Sequence, residues 1–196
     1  MTPDDRAARI EEAAYKVLTE KGFKGASMLA VARAAKASNE TLYNWYGDKV
    51  GLFSALVARN AAMVATRLDE ARKAGNTPLG TLEQVGEVLL TMLTGPRSVA
   101  LNRAAAADTT GELGRAVAKG GRETVAPMLV AVLTEAQAAG DLGPGPLDEM
   151  LEDFLGLLLS DMQIRRAIGV LDAPAPETIT ARTRRAVERL VRLYPA

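Results

Sequence analysis

The stretch from Ser27 to Lys49, SMLAVARAAKASNETLYNWYGDK, constrains the fold more than any other part of the chain. Ser27 is a good N-cap, and Leu29, Val31, Ala32 and Ala35 give a first short helix with small apolar residues on its inner side. Lys36-Ala37 breaks that pattern. Ser38 caps a second helix, from Asn39 to about Trp45, in which Leu42 faces inward while Asn39, Glu40, Thr41, Tyr43 and Asn44 face out. Two helices joined by a turn of about three or four residues, the second too polar to be core, make a helix-turn-helix arrangement. At 1.5 Å per residue the second helix is about 12 Å long, a length that fits a DNA major groove.

At these residues the sequence resembles the TetR family of transcriptional regulators. Ser27, Ala35, Ser38, Thr41, Leu42, Tyr43, Trp45 and Lys49 match the family pattern, whereas Lys36 stands for the usual Gly, Ala37 for Val, Glu40 for a common Gly and Tyr46 for Phe. Lys36 is the consequential departure. A turn glycine supplies positive φ, so Lys36 either takes a strained left-handed conformation or marks a modified corner. The resemblance implies an all-α protein: a three-helix head carrying the helix-turn-helix, and a larger helical body for ligand binding and dimerisation. The body also resembles, in pattern, the AefR-like carboxy-terminal domain.

Composition narrows the chemistry. The chain has no cysteine and no histidine, which argues against disulfides, zinc, haem and Ser-His-Asp catalysis. No nucleophile lies beside an identifiable base and no glycine-rich phosphate loop appears, so the expectation is a protein without a cofactor that is not an enzyme. No apolar run approaches the roughly 18 residues of a membrane span. The acidic start MTPDDRAARIEEA is unlike a signal peptide, so a soluble cytoplasmic protein is expected. With 24 basic and 24 acidic residues the chain carries no net charge, and any attraction to DNA has to be local.

Read in order, Ala7, Ile10, Ala14, Val17 and Leu18 form a support helix that ends at Lys21-Gly22, and Phe23 plugs the small core beneath the motif. Asp48 caps a long helix reaching about Ala74-Gly75, so the domains are expected at 1–50 (DNA-binding head) and 51–196 (body), with 51–75 as connecting helix. Helices follow over about 82–93, 97–107 and 109–139, the last with a kink at Gly120-Gly121. After the Gly143-Pro144-Gly145-Pro146 loop, residues 147–168 read as one helix that is apolar on more than one side and needs a second protein surface to cover it. The final helix, about 176–194, carries a basic stripe of Arg182, Arg185, Arg189 and Arg192, read as a solvated face or as a rim pairing with acids across a dimer, with membrane or nucleic acid as the other possibility.

These readings combine into a sequence-specific DNA-binding regulator, a repressor released by a small-molecule effector. The alternative is a ligand-independent DNA binder or adaptor. The DNA-binding set is Ser27, Lys36, Ser38, Asn39, Glu40, Thr41, Tyr43, Asn44 and Lys49. Asn39 and Glu40 are placed at base edges, Ser27, Thr41, Tyr43, Asn44, Lys49 and Lys36 at phosphates, and Trp45 and Tyr46 in core or hinge packing. A homodimer through 147–168 and 176–194 would present two heads to a palindromic double-stranded operator. The effector, whose existence the resemblance implies, is expected to be small and apolar, and Met92, Asn102, Arg103, Leu129, Phe154, Leu158 and Met162 are its candidate contacts.

Overall fold

A computed structural model describes residues 2–196. Among the described residues there are eleven helices and no strand: α1 (Pro3–Gly25), α2 (Met28–Ala35), α3 (Asn39–Tyr46), α4 (Lys49–Lys73), α5 (Pro78–Thr94), α6 (Pro96–Ala106), α7 (Glu112–Gly120), α8 (Arg122–Ala138), α9 (Leu147–Leu159), α10 (Met162–Ala167) and α11 (Pro176–Leu193). The all-α expectation therefore holds. Side-chain caps start several of these helices: Thr2, Ser27, Ser38 and Thr77 each accept a backbone N–H from the first turn that follows. Each such cap is worth about 1 kcal/mol.

The chain packs as two compact units. The first takes the residues up to Asn60 together with Arg97–Arg122, and the second takes Ala61–Pro96 and Glu123–Ala196. This division differs from the sequence-based one at 50/51, because α6 and α7 bury Leu101, Ala104 and Leu113 in the same core as Ile10, Leu18, Leu42 and Phe53. Phe23 sits edge-to-face on Phe53 with ring centroids 5.7 Å apart, the plug expected of it. Gly22 breaks α1 where expected, with φ 65° and ψ 177°, a conformation that only glycine adopts cheaply.

The second unit has its own core, in which α5 supports both α9 and α11. Two readings need correction here. Residues 147–168 are not one helix: α9 stops at Ser160, whose φ of 46° and ψ of −128° turn the chain before α10. No glycine or proline marks the position, so the pattern ran straight through it. Residues 109–139 are interrupted at the expected Gly120-Gly121, but by a full break into two helices instead of a kink, since Gly121 leaves the helical region altogether.

Candidate nucleic-acid interface

The helix-turn-helix is built by local capping and then clamped from a distance. Ser27 Oγ accepts from Ala30 N at 3.2 Å, and Ser38 Oγ accepts from Thr41 N at 3.0 Å while sharing a 2.7 Å hydrogen bond with Thr41 Oγ1. Between them Lys36 takes the left-handed conformation, φ 50° and ψ 44°, so the chain keeps the usual corner at the cost of strain. Its neighbour Ala37 donates back to Ala32 O at 2.9 Å, closing α2 with a Schellman-type bond. The clamp is Arg9 of α1, whose guanidinium donates to the carbonyls of Ala35 at 2.7 Å and Lys36 at 3.4 Å. Sequence reasoning missed Arg9, because a contact made 26 positions along the chain leaves no local signal.

The structure sorts the expected site residues by exposure. Ser27, Lys36, Ser38, Asn39, Glu40, Tyr43 and Asn44 are exposed and Thr41 is half-buried, all on the turn or the outer side of α2 and α3, while Leu42 is fully buried beneath them. Of the core or hinge packing expected of Trp45, core packing does not hold: it is 42% exposed and leans edgewise on half-buried Tyr46 at 6.3 Å. Leu29, expected on the inner side of α2, is 47% exposed and Met28 fills the core instead. Arg33 of α2 is a further exposed cation in this unit.

Lys49 has a role inside the unit. Its ammonium donates to Phe23 O at 3.0 Å and lies 3.9 Å above the Phe23 ring, which ties the start of α4 to the last turn of α1. Away from the helix-turn-helix, Arg59 pairs with Glu11 at 2.6 Å and Arg97 pairs with Glu12 while facing the Tyr15 ring. The Glu11 hydrogen bond raises the Arg59 guanidinium further above its ordinary value, and burial raises the phenols of Tyr15 and Tyr46. The two pairs neutralise the Glu11 and Glu12 carboxylates on α1.

The candidate effector contacts separate. Met92, Leu129, Phe154, Leu158 and Met162 all belong to the core of the second unit, whereas half-buried Asn102 and exposed Arg103 lie on α6 in the first. Beside Phe154 and Leu158 lies a polar group that sequence reasoning overlooked. Thr183 of α11 is fully buried, and its hydroxyl has no hydrogen-bond partner among the described residues. A Cβ added to Gly86 would approach Thr183 Cγ2 to 2.7 Å and Phe154 Cζ to 3.3 Å, so only glycine lets α5 come this close. A separate surface cleft of about 520 Å³, lined by Gln137, Gly140, Leu142, Gly143, Pro144, Gly145 and Ala196, contains none of the expected contacts. No helix among the described residues is long and apolar enough to cross a membrane, and none of their carboxylates cluster as a metal site.

Comparison with known proteins agrees with this architecture. Residues 80–196 match the model of the AefR-like transcriptional repressor C-terminal domain, and residues 10–56 match that of bacterial regulatory proteins of the tetR family. The HTH-type transcriptional repressor KstR of Mycolicibacterium smegmatis is 30% identical over 93 residues; the match covers 47% of this chain and 46% of that protein, less than half its length. A TetR transcriptional regulator from Agrobacterium tumefaciens superposes with a TM-score of 0.74 at 28% identity, over 99% of this chain and 95% of its own. The regulator FadR of Bacillus subtilis, solved in complex with stearoyl-CoA, shares the fold with a TM-score of 0.73 at 18% identity, over 94% and 97% of the two chains.

Proposed function

Because the chain belongs to the TetR family of bacterial regulatory proteins, with an AefR-like carboxy-terminal domain, we propose that it is a transcriptional repressor that binds an operator through α3 and lets go when a small apolar effector enters its body. It acts in the cytoplasm, as a homodimer, without catalysis. The observation that carries the reading is the exposed polar face of α3, held by the Ser27 and Ser38 caps and the Arg9 clamp on a fully buried Leu42. A rigid, solvent-facing helix of eight residues is what major-groove reading requires.

Asn39 and Glu40 open that helix and are assigned to base edges, the amide to adenine and the carboxylate to a cytosine amino group. Ser27, Lys36, Tyr43, Asn44 and the remaining N–H donors of Lys49 are assigned to phosphates. Ser38 and Thr41 shape the helix start, and Thr41 lends its hydroxyl to the backbone of the duplex. Exposed Trp45 is available to the same surface.

Dimerisation through α9, α10 and α11 is supported by exposed Ile164 and Ile168, each 67% accessible, on the segment expected to need a covering surface, with exposed Val170 just beyond it. Two copies related by a two-fold axis then read half-sites about 34 Å apart or a multiple of it. The effector is assigned to the core of the second unit near Phe154, Leu158 and Thr183, where aliphatic side chains surround one orphaned hydroxyl. Such a lining favours an aliphatic or acyl-like molecule.

Selection of bound duplexes from a random pool tests the reading. Enrichment of one palindromic motif, lost in Asn39→Ala, is expected; a pool that stays random after repeated rounds overturns it. Fatty acyl compounds titrated against the bound duplex then test the effector class.

A further inference from the structure

A threonine inside a helix can satisfy its hydroxyl on the carbonyl one turn back. Thr19, Thr66, Thr91, Thr94 and Thr134 do so here, donating to the carbonyls of Tyr15, Ala62, Glu87, Leu90 and Val130 at 2.6 to 3.0 Å. Burial does not prevent the bond: Thr94 is 1% exposed and makes the shortest of the five. Thr183 has the same opportunity and does not take it. Ile179, four residues before it, lies in the same helix α11, yet the Thr183 hydroxyl meets no partner among the described residues. Its methyl is the group turned to α5, where a Cβ on Gly86 would come within 2.7 Å of Thr183 Cγ2.

The surroundings decide which chemistry suits that hydroxyl. Phe154 and Leu158 reach the same point of α5, and both are fully buried. Among the described residues the buried polar side chains are Thr81, Thr94, Ser98 and Thr183, and none of them is ionisable. Arg182, next in the chain, stands about 100° around the helix from Thr183 and donates its Nε to Leu158 O. At Gly86 α5 contributes no side chain, so a molecule parting it from α11 displaces none there. A buried hydroxyl without a partner carries an uncompensated desolvation cost, and a ligand atom that bonds it removes that cost. An ionised carboxylate brought to this place finds one hydroxyl and no buried opposite charge, too little to replace its water. A neutral carbonyl oxygen needs only the single donor that Thr183 offers.

We propose that the Thr183 hydroxyl donates to a neutral carbonyl oxygen on an otherwise aliphatic effector, so that the protein answers to an ester, thioester or ketone and rejects the free acid. This assignment rests on the effector reading above and narrows its chemical class. Discrimination comes from the charge state of the acyl end: the ester and the acid share one hydrocarbon chain, and only the acid has to bury an ion beside Phe154 and Leu158.

Calorimetric titration of the full-length protein near neutral pH tests it, with methyl esters of medium chain length, the free acids they derive from and alkanes of matched length. The parent is expected to bind the ester about three- to tenfold more tightly than the alkane, the worth of one hydrogen bond, and at least about tenfold more tightly than the acid. Thr183→Val keeps the shape of the side chain and drops the hydroxyl, so it should bind the alkane as the parent does and show no preference for the ester. Thr94→Val, which removes a buried hydroxyl already bonded to Leu90 O, should keep the preference. Circular dichroism checks the fold of both variants. An ester preference that is absent from the parent, survives in Thr183→Val or is lost equally in Thr94→Val overturns the carbonyl assignment and leaves the effector reading in place, as does an acid bound as tightly as the ester. A parent that binds none of the three classes overturns the assignment and the effector reading together.

Discussion

The left-handed Lys36 offers a measurement of what this chain gives up to keep its corner. A residue with a Cβ pays about 1–2 kcal/mol in that region, and replacing it by glycine removes the clash but raises unfolded-chain entropy by about 0.4–1 kcal/mol. Lys36 is exposed, and the bonds it makes are backbone ones: its N–H to Arg33 O at 3.2 Å and its carbonyl to Arg9 at 3.4 Å. Both survive the substitution, so Lys36→Gly should be more stable than Lys36→Ala by roughly 0.5–1 kcal/mol. For a chain of this length that is about 1–4 °C in Tm. Urea titrations followed by far-ultraviolet circular dichroism read the difference directly, with an unchanged slope showing that the unfolded state is the same. The alanine variant is the proper reference, because both substitutions remove the ammonium and its flexible stem alike. A glycine variant no more stable than the alanine variant would refute the strain argument.

Other consequences can be checked as readily. Arg9→Ala removes both guanidinium bonds to the corner and should cost about 1–2 kcal/mol while weakening operator binding, measured by urea titration and fluorescence anisotropy. Lys49→Ala should lower stability as well as DNA affinity, since its ammonium is bonded to Phe23 O; a loss of affinity with parental stability would contradict the tether. Thr183→Val deletes an orphaned hydroxyl at constant shape and should be neutral or stabilising by up to about 1 kcal/mol, yet should weaken an effector that uses that hydroxyl. Tyr194 has its phenol pushed up to about 12, first by donating to Asp153, so the stabilisation it brings is complete below pH 10 and is lost as pH rises through about 12. Ultraviolet titration should show a late-ionising tyrosine that disappears in Tyr194→Phe.

The stretch from Ser27 to Lys49 was readable because its instructions are short-range. A cap and the N–H it serves lie three positions apart, as Ser27–Ala30 and Ser38–Thr41 do, and a buried Leu42 among polar neighbours sets which way the helix faces. For the same reason the helical class, the Gly22 break and the burial of Phe23 could be written down from the residues alone. What folding decided lies between residues far apart in the chain. Nothing near Arg9 announces that it closes a corner at Ala35, and nothing in α6 or α7 announces that Leu101 and Leu113 complete the core under the first helices. Ser160 is the sharpest case. The helical spacing of apolar residues continues across it from Leu158 to Met162, and the chain turns there because what is gained by packing α9 and α10 separately exceeds the strain of one residue at positive φ. Periodicity reports which side of a helix is apolar; where that side finds its cover, and where the helix must stop to reach it, is settled only when the distant surfaces meet.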